Sequence, residues 1–430
     1  MLLNKKIMEK TFMAFSSVFV LYAFVSCSNP SWSGDTAVLP QDENATDIIP
    51  EANVSSITVK DLSSPLPQDF IRGFDASYVD YYEENNLEYT DSKGTVRDFF
   101  VILKEKGVNT VRLRLWVEPA KGKIEASDSG VTGDNDLART VRMAQRAKKA
   151  GLKVLLDFHY SDYWADPGKQ IIPSSWREIA DSETMAEKIS SYTKEVLKTM
   201  KTLNVLPDYV QVGNEIDSGI LTQKSFGKTA DSAVSGSSSG ENFAKYIQAG
   251  CSAVRDVDSS IKIILHVTNR KAATILNKLS SCDWDIAGLS YYPWEKSHGT
   301  IQSLKDNIKS IKNGGKEVMV VESSMYWNYG SYAEDCTSLQ NARNNLINPE
   351  TKEVYDDLSL KTLTVEGTKY NIVEGTLQNQ VNVLRHIIEE THNSGGTGFF
   401  VWGADMPGVW KYSMFSLNGR AFDSLNLFSL

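Results

Sequence analysis

The sequence contains little of what marks several common classes of protein. It has four cysteines in 430 residues, none spaced as C-x-x-C, and only five histidines. A disulfide scaffold or a zinc site built from Cys and His is therefore not expected. Glycine contributes 28 residues and proline 12. This content excludes collagen-like and low-complexity chains and is that of an ordinary globular protein.

The chain also lacks an excess of positive charge. Its formal net charge is −9, which argues against nucleic acid as a partner because phosphate binding needs a basic surface. It also lacks the HExxH and P-loop motifs and has no GxSxG among its predicted strand ends, so the corresponding metalloprotease, nucleotide and serine-hydrolase chemistries find no support. Aromatic residues make up 10% of the chain, a content that suits stacking on sugar rings as well as core packing.

One apolar stretch stands out, at residues 12–25, and three lysines precede it within the first ten residues. It has the length of a secretory signal and is too short for a confident membrane span. The sequence Val25-Ser26-Cys27 that follows resembles a bacterial lipobox, in which the cysteine is lipidated. We therefore predict a lipoprotein signal over residues 1–27 with Cys27 as the lipidated residue. An ordinary signal peptide cleaved nearby is the alternative.

Residues 28–60 are rich in Ser, Asn, Asp and Pro without sustained periodicity, which is typical of a flexible tether. We assign residues 61–430 to one catalytic domain. Of the cysteines after Cys27, namely Cys251, Cys282 and Cys336, at most two can pair, and the sequence leaves open whether they do.

Short apolar runs alternate with amphipathic stretches from residue 70 onward. Helices are predicted at 136–150 and at 376–394, where Thr376 is an N-cap candidate. This alternation predicts an α/β fold, a single (β/α)₈ barrel, because buried parallel strands need helical crossovers. An open doubly wound sheet is the alternative, but no glycine-rich phosphate turn follows the first strand. The predicted strands are Phe70–Phe74, Thr110–Leu115, Lys153–Phe158, Tyr209–Val212, Lys262–Val267, Ile286–Ser290, Val318–Val321 and Gly398–Trp402.

Two long connections interrupt this alternation. Residues 222–242, after strand 4, include a Ser/Gly run that predicts a mobile loop, and residues 323–375 follow strand 7. Loops at the carboxyl ends of barrel strands carry function, so both are expected to border the cleft.

Two glutamates occur where strands end. Glu215 follows strand 4 and Glu322 ends strand 7. Strands 4 and 7 lie across an eight-stranded ring from each other, so the two carboxyl groups can face each other over its mouth. Glycoside hydrolysis requires such a pair, one protonated and one ionised. The alternative interpretation is that both are solvated loop carboxylates. The adjoining Asn214 argues against this alternative.

Further polar and aromatic side chains occur at other strand ends. Arg112 and Arg114 alternate with apolar residues in strand 2, and a buried arginine needs a partner. Either one orients Glu322, or both form structural ion pairs inside the barrel. Candidates for sugar contacts follow strands 3, 6 and 8: His159, Asp162, Trp164, Tyr291, Tyr292 and Trp402.

From about Phe70 to Trp410 these motifs resemble glycoside hydrolase family 53, the endo-β-1,4-galactanases. The resemblance rests on six segments: Gly73–Ser77, Gly107–Trp116, Asp157–Pro167, Gly213–Ile216, Ser290–Pro293 and Val320–Glu322. It implies a (β/α)₈ fold, a retaining mechanism and β-1,4-galactan of pectic arabinogalactan as substrate. It also implies Glu215 as acid/base, Glu322 as nucleophile, and Asp75 and Asn214 as substrate-binding residues.

The resemblance is incomplete in three places. Thr222 and Gln223 stand where many members have Trp-Pro, and Asp405 lies in a segment that replaces the usual Trp-Glu-Pro. The calcium-loop pattern of many bacterial members is not evident after strand 7. We therefore expect no cofactor or metal for catalysis, and a structural calcium ion stays open.

The sequence predicts the following partners and location. We expect a monomer that binds polysaccharide and attaches to a membrane through its N-terminal lipid, at the outer membrane or the cell surface. Two alternatives remain: a non-catalytic glycan-binding lipoprotein, and a barrel glycosidase that acts on another β-linked glycan.

The lipobox makes a testable prediction about location. Replacing Cys27 with Ala removes the acceptor for acyl chains, and several acyl chains are what make anchoring stable. The variant should therefore move from the membrane fraction to the soluble fraction, as followed by immunoblotting, while Cys251→Ala serves as the control. A wild-type protein that is already soluble and unlipidated would contradict the prediction.

Overall fold

The computed structural model describes residues 57–120, 135–329, 332–407 and 411–430. Cys27 and the signal segment lie outside these residues. Eight parallel strands form a closed barrel in the order β1-β8-β7-β6-β5-β4-β3-β2. The strands are β1 (Ile71–Asp75), β2 (Thr110–Leu115), β3 (Lys153–Phe158), β4 (Tyr209–Val212), β5 (Lys262–Thr268), β6 (Ile286–Ser290), β7 (Glu317–Glu322) and β8 (Gly398–Val401).

All eight predicted strands are present, with ends that differ by one residue at most. Pairing of β1 with both β8 and β2 closes the ring, for example through Ile71 with Gly398 and Gly73 with Thr110. Closure excludes the open doubly wound sheet. The near-continuous apolar runs arise because each strand is covered by the barrel interior on one face and by helices on the other.

Helices surround the barrel: α1 (Val79–Glu84), α2 (Phe99–Glu105), α3 (Leu137–Lys149), α4 (Ser182–Thr202), α5 (Asn242–Val257), α6 (Ala272–Asn277), α7 (Ile301–Asn313), α8 (Ala333–Asn345) and α9 (Leu377–Asn393). The predictions at 136–150 and 376–394 are confirmed as α3 and α9. Asp136 and Thr376 cap them by accepting a hydrogen bond from the third residue beyond. No helix among the described residues is long and apolar enough to cross a membrane.

The barrel interior has an apolar lower part and a polar upper part. Side chains alternate between the two faces of a strand, so every second residue points inward. In the lower part these inward positions hold a packed cluster: Ile71, Leu155, Ile264, Ile286, Met319, Val321 and Phe400. Toward the carboxyl ends of the strands, the same alternation brings buried polar side chains together, and this end is the mouth of the barrel.

Both long connections contain secondary structure. In the connection after β4, Gly219–Ile220 pairs with Gly236–Ser237 and Gln223–Ser225 pairs with Lys228–Thr229. The connection after β7 contains α8 and an antiparallel hairpin, Leu360–Val365 with Thr368–Val373. Cys251, Cys282 and Cys336 are buried and free, so they form no disulfide.

The segment before β1 runs along the outside of α9. Ile57 packs on a cluster that includes Trp327 and Leu377, at the mouth end of the barrel. The backbone of Thr58 exchanges hydrogen bonds with Gln378, and the ring of Phe70 meets that of His392 at the far end of α9. Residues 57–60, which the sequence assigned to the tether, therefore pack against the domain.

Gly107 lies against the carboxyl-terminal segment of the domain, and this close contact allows a stability test. Gly107 has φ +100°, and a Cβ there would approach the carbonyl of Phe428 to less than 3.0 Å. Gly94 also has positive φ, at +85°, but a Cβ there meets nothing within 4 Å. Both Ala variants carry the same kind of backbone strain. The free energy of unfolding in urea should therefore fall by about 1–3 kcal/mol more for Gly107→Ala than for Gly94→Ala. Equal losses would show that the close approach contributes nothing.

Candidate active site

Glu215 follows β4 in an unusual backbone conformation. Its φ is +44° and its ψ +58°, the left-handed region that non-glycine residues rarely adopt. Gly213, two residues earlier, also has positive φ. The chain thus turns sharply at the strand end into a short 3₁₀ helix, Ile216–Ser218.

Glu322 is directed into the mouth by an irregularity in the sheet. Along β6 and β7, Leu289 pairs with Val320, but the next pair is Ser290 with Glu322. The shift skips Val321, which packs in the inner cluster. An extra residue of this kind re-aims the side chain that follows it, and here it places Glu322 on the inner side beside Ser290.

The two carboxyl groups meet as the sequence predicted. One carboxyl oxygen from Glu215, one from Glu322 and a ring nitrogen of His266 all lie within 4.8 Å of one another. Retaining glycoside hydrolases hold their two carboxyl groups about 5–5.5 Å apart, whereas inverting enzymes need roughly 6.5–9.5 Å to admit a water molecule. The separation matches the retaining arrangement.

Arg112 is the centre of the buried polar layer. Its guanidinium lies 2.8 Å from carboxylate oxygens of Asp75, Asp157 and Glu322. It also donates to Oδ1 of Asn214 at 2.7 Å. The two roles considered for a strand-2 arginine are therefore both present: Arg112 orients Glu322, and it does so within a structural ion-pair network.

The surroundings divide the two glutamates into different protonation states. Burial, followed by the charge of Glu322, raises the pKa of Glu215 well above its ordinary value. Burial also raises the pKa of Glu322, but Arg112 and the hydroxyl of Tyr292, which donates to Oε2 at 2.8 Å, act in the opposite direction. When the pair holds one proton, that proton belongs to Glu215 and the charge to Glu322.

The polar layer also contains residues that the sequence reasoning missed. Nδ1 of His266 lies 2.8 Å from Oδ1 of Asn214, and its Nε2 lies 2.7 Å from the hydroxyl of Ser290. Gln211 donates to Asp157. Burial lowers the pKa of His266 well below its ordinary value, so the imidazole is neutral. His266, Ser290 and Gln211 occupy inward positions near strand ends, which was the signal available in the sequence.

Arg114 does not reach Glu322. Its guanidinium carbon lies 3.9 Å from the ring centroid of Trp164 and 4.7 Å from that of Tyr78. One nitrogen donates to Asn135 at 3.0 Å. Arg114 therefore stacks under aromatic rings and keeps Trp164 in place.

Two predicted sugar contacts, His159 and Asp162, have hydrogen-bond partners within the protein. Both ring nitrogens of His159 are used: Nδ1 accepts from Trp116 and Ala165, and Nε2 donates to Asp157. The oxygens of Asp162 accept from the backbone N–H groups of Glu118 and Ser174.

The hydrogen-bonding atoms of both residues are thus engaged within the protein, and a sugar contact from either one stays a prediction. Asp75 is buried as well and lies 2.8 Å from the guanidinium of Arg112. Tyr291 does not reach the mouth, because its side chain is fully buried in the core.

The remaining aromatic candidates lie together beside the carboxyl pair. The ring of Trp402 is 6.0 Å from that of Trp164 and 6.3 Å from that of Tyr292, both edge-on. Trp164 is partly exposed. Aromatic rings in this position supply apolar faces for a sugar ring.

In the described part of the connection after β7, one buried carboxylate is engaged by a cationic side chain. The carboxylate of Asp335 is buried and pairs with the ammonium group of Lys411. Asp335 is therefore not available as a calcium ligand while this ion pair is formed.

A parallel (β/α)₈ barrel with two facing carboxyl groups, one protonated and one ionised, defines a glycoside hydrolase. The sequence identifies the family: residues 71–430 match the model of glycosyl hydrolase family 53. The chain belongs to this family.

Similar proteins agree with this assignment. An endo-β-1,4-galactanase of Bacillus subtilis is 33% identical over 366 residues, which cover 82% of this chain and 75% of that protein. An uncharacterized protein of Niallia circulans is 34% identical, over 83% of this chain and 93% of its own. The family 53 catalytic domain of Ignisphaera aggregans superposes with a TM-score of 0.69 at 29% identity, covering 87% of this chain and 99% of that domain.

The coupling of the two glutamates can be measured directly. Glu322→Gln removes the negative charge that helps to raise the pKa of Glu215. That pKa should fall toward 4.5 without reaching it, because burial is the larger cause. Titration of ¹³C-labelled glutamate carboxyl groups by NMR measures the change. Asp217→Asn removes a weaker contributor and should shift the pKa less, whereas equal shifts would contradict the coupling.

Proposed function

We propose that this protein is an endo-acting retaining glycoside hydrolase that cleaves β-1,4-galactan, the side-chain polysaccharide of pectic arabinogalactan. The observation that carries the mechanism is the separation of the Glu215 and Glu322 carboxyl oxygens, within 4.8 Å. The galactan substrate is supported by the relatives named as galactanases.

The reaction runs as a double displacement. The carboxylate of Glu322 attacks the anomeric carbon while the proton of Glu215 passes to the leaving glycosidic oxygen. A covalent glycosyl ester on Glu322 results. Glu215, now ionised, takes a proton from water, and the water oxygen displaces Glu322 to release a product of unchanged anomeric configuration.

Neighbouring side chains prepare these steps. Arg112 and the hydroxyl of Tyr292 hold two oxygens of Glu322 in place and stabilise its charge. Asn214 uses one N–H on the carbonyl of Ala165 at 2.7 Å, which leaves the second for the sugar 2-hydroxyl, a contact that strengthens in the transition state. Trp164 and Trp402 offer ring faces to the galactosyl units.

The non-catalytic alternative is less consistent with this site. A binding protein has no use for two buried carboxyl groups within 4.8 Å, an arrangement that costs folding free energy. The carboxyl pair and Arg112 are both present, which favours a catalytic role over a purely binding one. A different β-linked glycan as substrate is an outcome of the experiment below.

The location and cofactor requirements are part of the proposal. We infer an exported lipoprotein attached through Cys27 to the outer membrane or cell surface, acting as a monomer. Side chains alone supply the acid, base and nucleophile, so hydrolysis needs no metal ion or organic cofactor.

The proposed activity predicts a specific pattern on a panel of galactan, mannan, xylan and cellulose. Only galactan should lose viscosity well before galactose accumulates, because internal cuts shorten the chain without releasing monomers. NMR of the first product should show the β-anomer. Release of galactose alone, strong activity on another glycan, or an inverted first product would each overturn part of the proposal. Glu322→Ala is the inactive control.

A further inference from the structure

The strained backbone conformation of Glu215 requires contacts that stabilise it. The left-handed conformation costs a non-glycine residue roughly 1–2 kcal/mol, and φ is +44° here. Such a conformation persists only where the surroundings impose it. If it relaxed, the carboxyl group would swing away from the position in which it faces Glu322.

Gln170 is the side chain that contacts the backbone on both sides of this residue. Its Nε2 lies 2.9 Å from the carbonyl oxygen of Asn214 and 3.3 Å from that of Glu215. The same nitrogen also reaches the carbonyl of Asp166 at 3.2 Å. Gln170 is buried, so these hydrogen bonds are sheltered from water.

These two carbonyl groups fix the conformation of Glu215. The carbonyl of Asn214 belongs to the peptide plane that precedes the Cα atom of Glu215, and the carbonyl of Glu215 belongs to the plane that follows it. The first plane determines φ and the second determines ψ. A single amide group that binds both carbonyls therefore restrains both angles together.

The loop that carries Gln170 is itself tied to the polar layer. Ala165 accepts from the side chain of Asn214 at 2.7 Å and donates its N–H to His159 at 3.0 Å. His159 in turn binds Asp157, a partner of Arg112. The position of Gln170 is thus connected to the network that orients Glu322.

We propose that Gln170 is a positioning residue for the acid/base, which acts by holding the backbone of Glu215 in its left-handed conformation. The inference rests on the proposed role of Glu215 as acid/base. It goes beyond that role because it assigns the geometry of the proton donor to a side chain that binds the backbone around Glu215 and not its carboxyl group.

A misplaced acid has a kinetic signature that a general loss of stability lacks. Protonation of the leaving oxygen matters for poor leaving groups and hardly at all for good ones. Aryl β-glycosides of galactobiose with phenol and with 2,4-dinitrophenol as leaving groups separate the two cases. A displacement of about 1 Å can cost up to about 100-fold in rate.

Gln170→Met keeps the length of the side chain and removes both N–H donors. Gln170→Leu also removes both donors, with a shorter apolar side chain and no new charge, in case the first variant does not fold. Gln223→Met is the matched control, because Gln223 donates to Gly168 in the same loop without contacting the peptide planes around Glu215. Each variant is assayed for kcat/KM on both aryl substrates and for the pKa of Glu215 by carboxyl NMR.

We expect both Gln170 variants to lose roughly 10–100-fold on the phenyl substrate and less than about 3-fold on the dinitrophenyl substrate. The pKa of Glu215 should fall as the carboxyl group reaches water, while Gln223→Met changes neither value. Equal losses on both substrates with an unchanged pKa would overturn the inference. If the wild type failed on galactosides altogether, the proposed substrate would be wrong, and the NMR shift would still decide the role of Gln170.

Discussion

One buried guanidinium determines the arrangement of the mouth of this barrel. Arg112 neutralises carboxylates that come from β1, β3 and β7, so three strands converge on a single charge. Each of these carboxylates would be costly to bury alone, and removing one partner of a buried ion pair typically costs 3–5 kcal/mol. The polar layer is therefore held together by one charge, and Asn214 is oriented by a hydrogen bond from the same guanidinium.

The same cation gives the two glutamates different affinities for a proton. It stabilises the charge on Glu322 directly, whereas Glu215 has no such partner and retains its proton to higher pH. This difference costs stability: because the folded-state pKa of Glu215 lies above that of the unfolded chain, ionising it as the pH rises weakens the fold. The strain at its backbone adds to that cost. Function and stability oppose each other at this residue.

The fold was predictable from the sequence because strand burial leaves a pattern of apolar runs, and all eight runs became strands. The carboxyl pair was predictable because Glu215 and Glu322 stand at strand ends. The partners that His159 and Asp162 have within the protein were not predicted, because a polar residue that binds a sugar and one that secures its own loop look alike in sequence. His266 was missed because a single histidine in an apolar run resembles a core residue, and only the inward alternation of β5 reveals it. The register shift that aims Glu322 has no local sequence signal.

The path of the first described residues determines at which end of the barrel the preceding chain joins the domain. Residues 57–70 descend along α9 from the mouth to the opposite end, where β1 begins. The chain upstream of Ile57 therefore joins the barrel at the catalytic end. Whatever is attached through the preceding residues would therefore meet the molecule at the end that holds the carboxyl pair, and not at the base of the barrel.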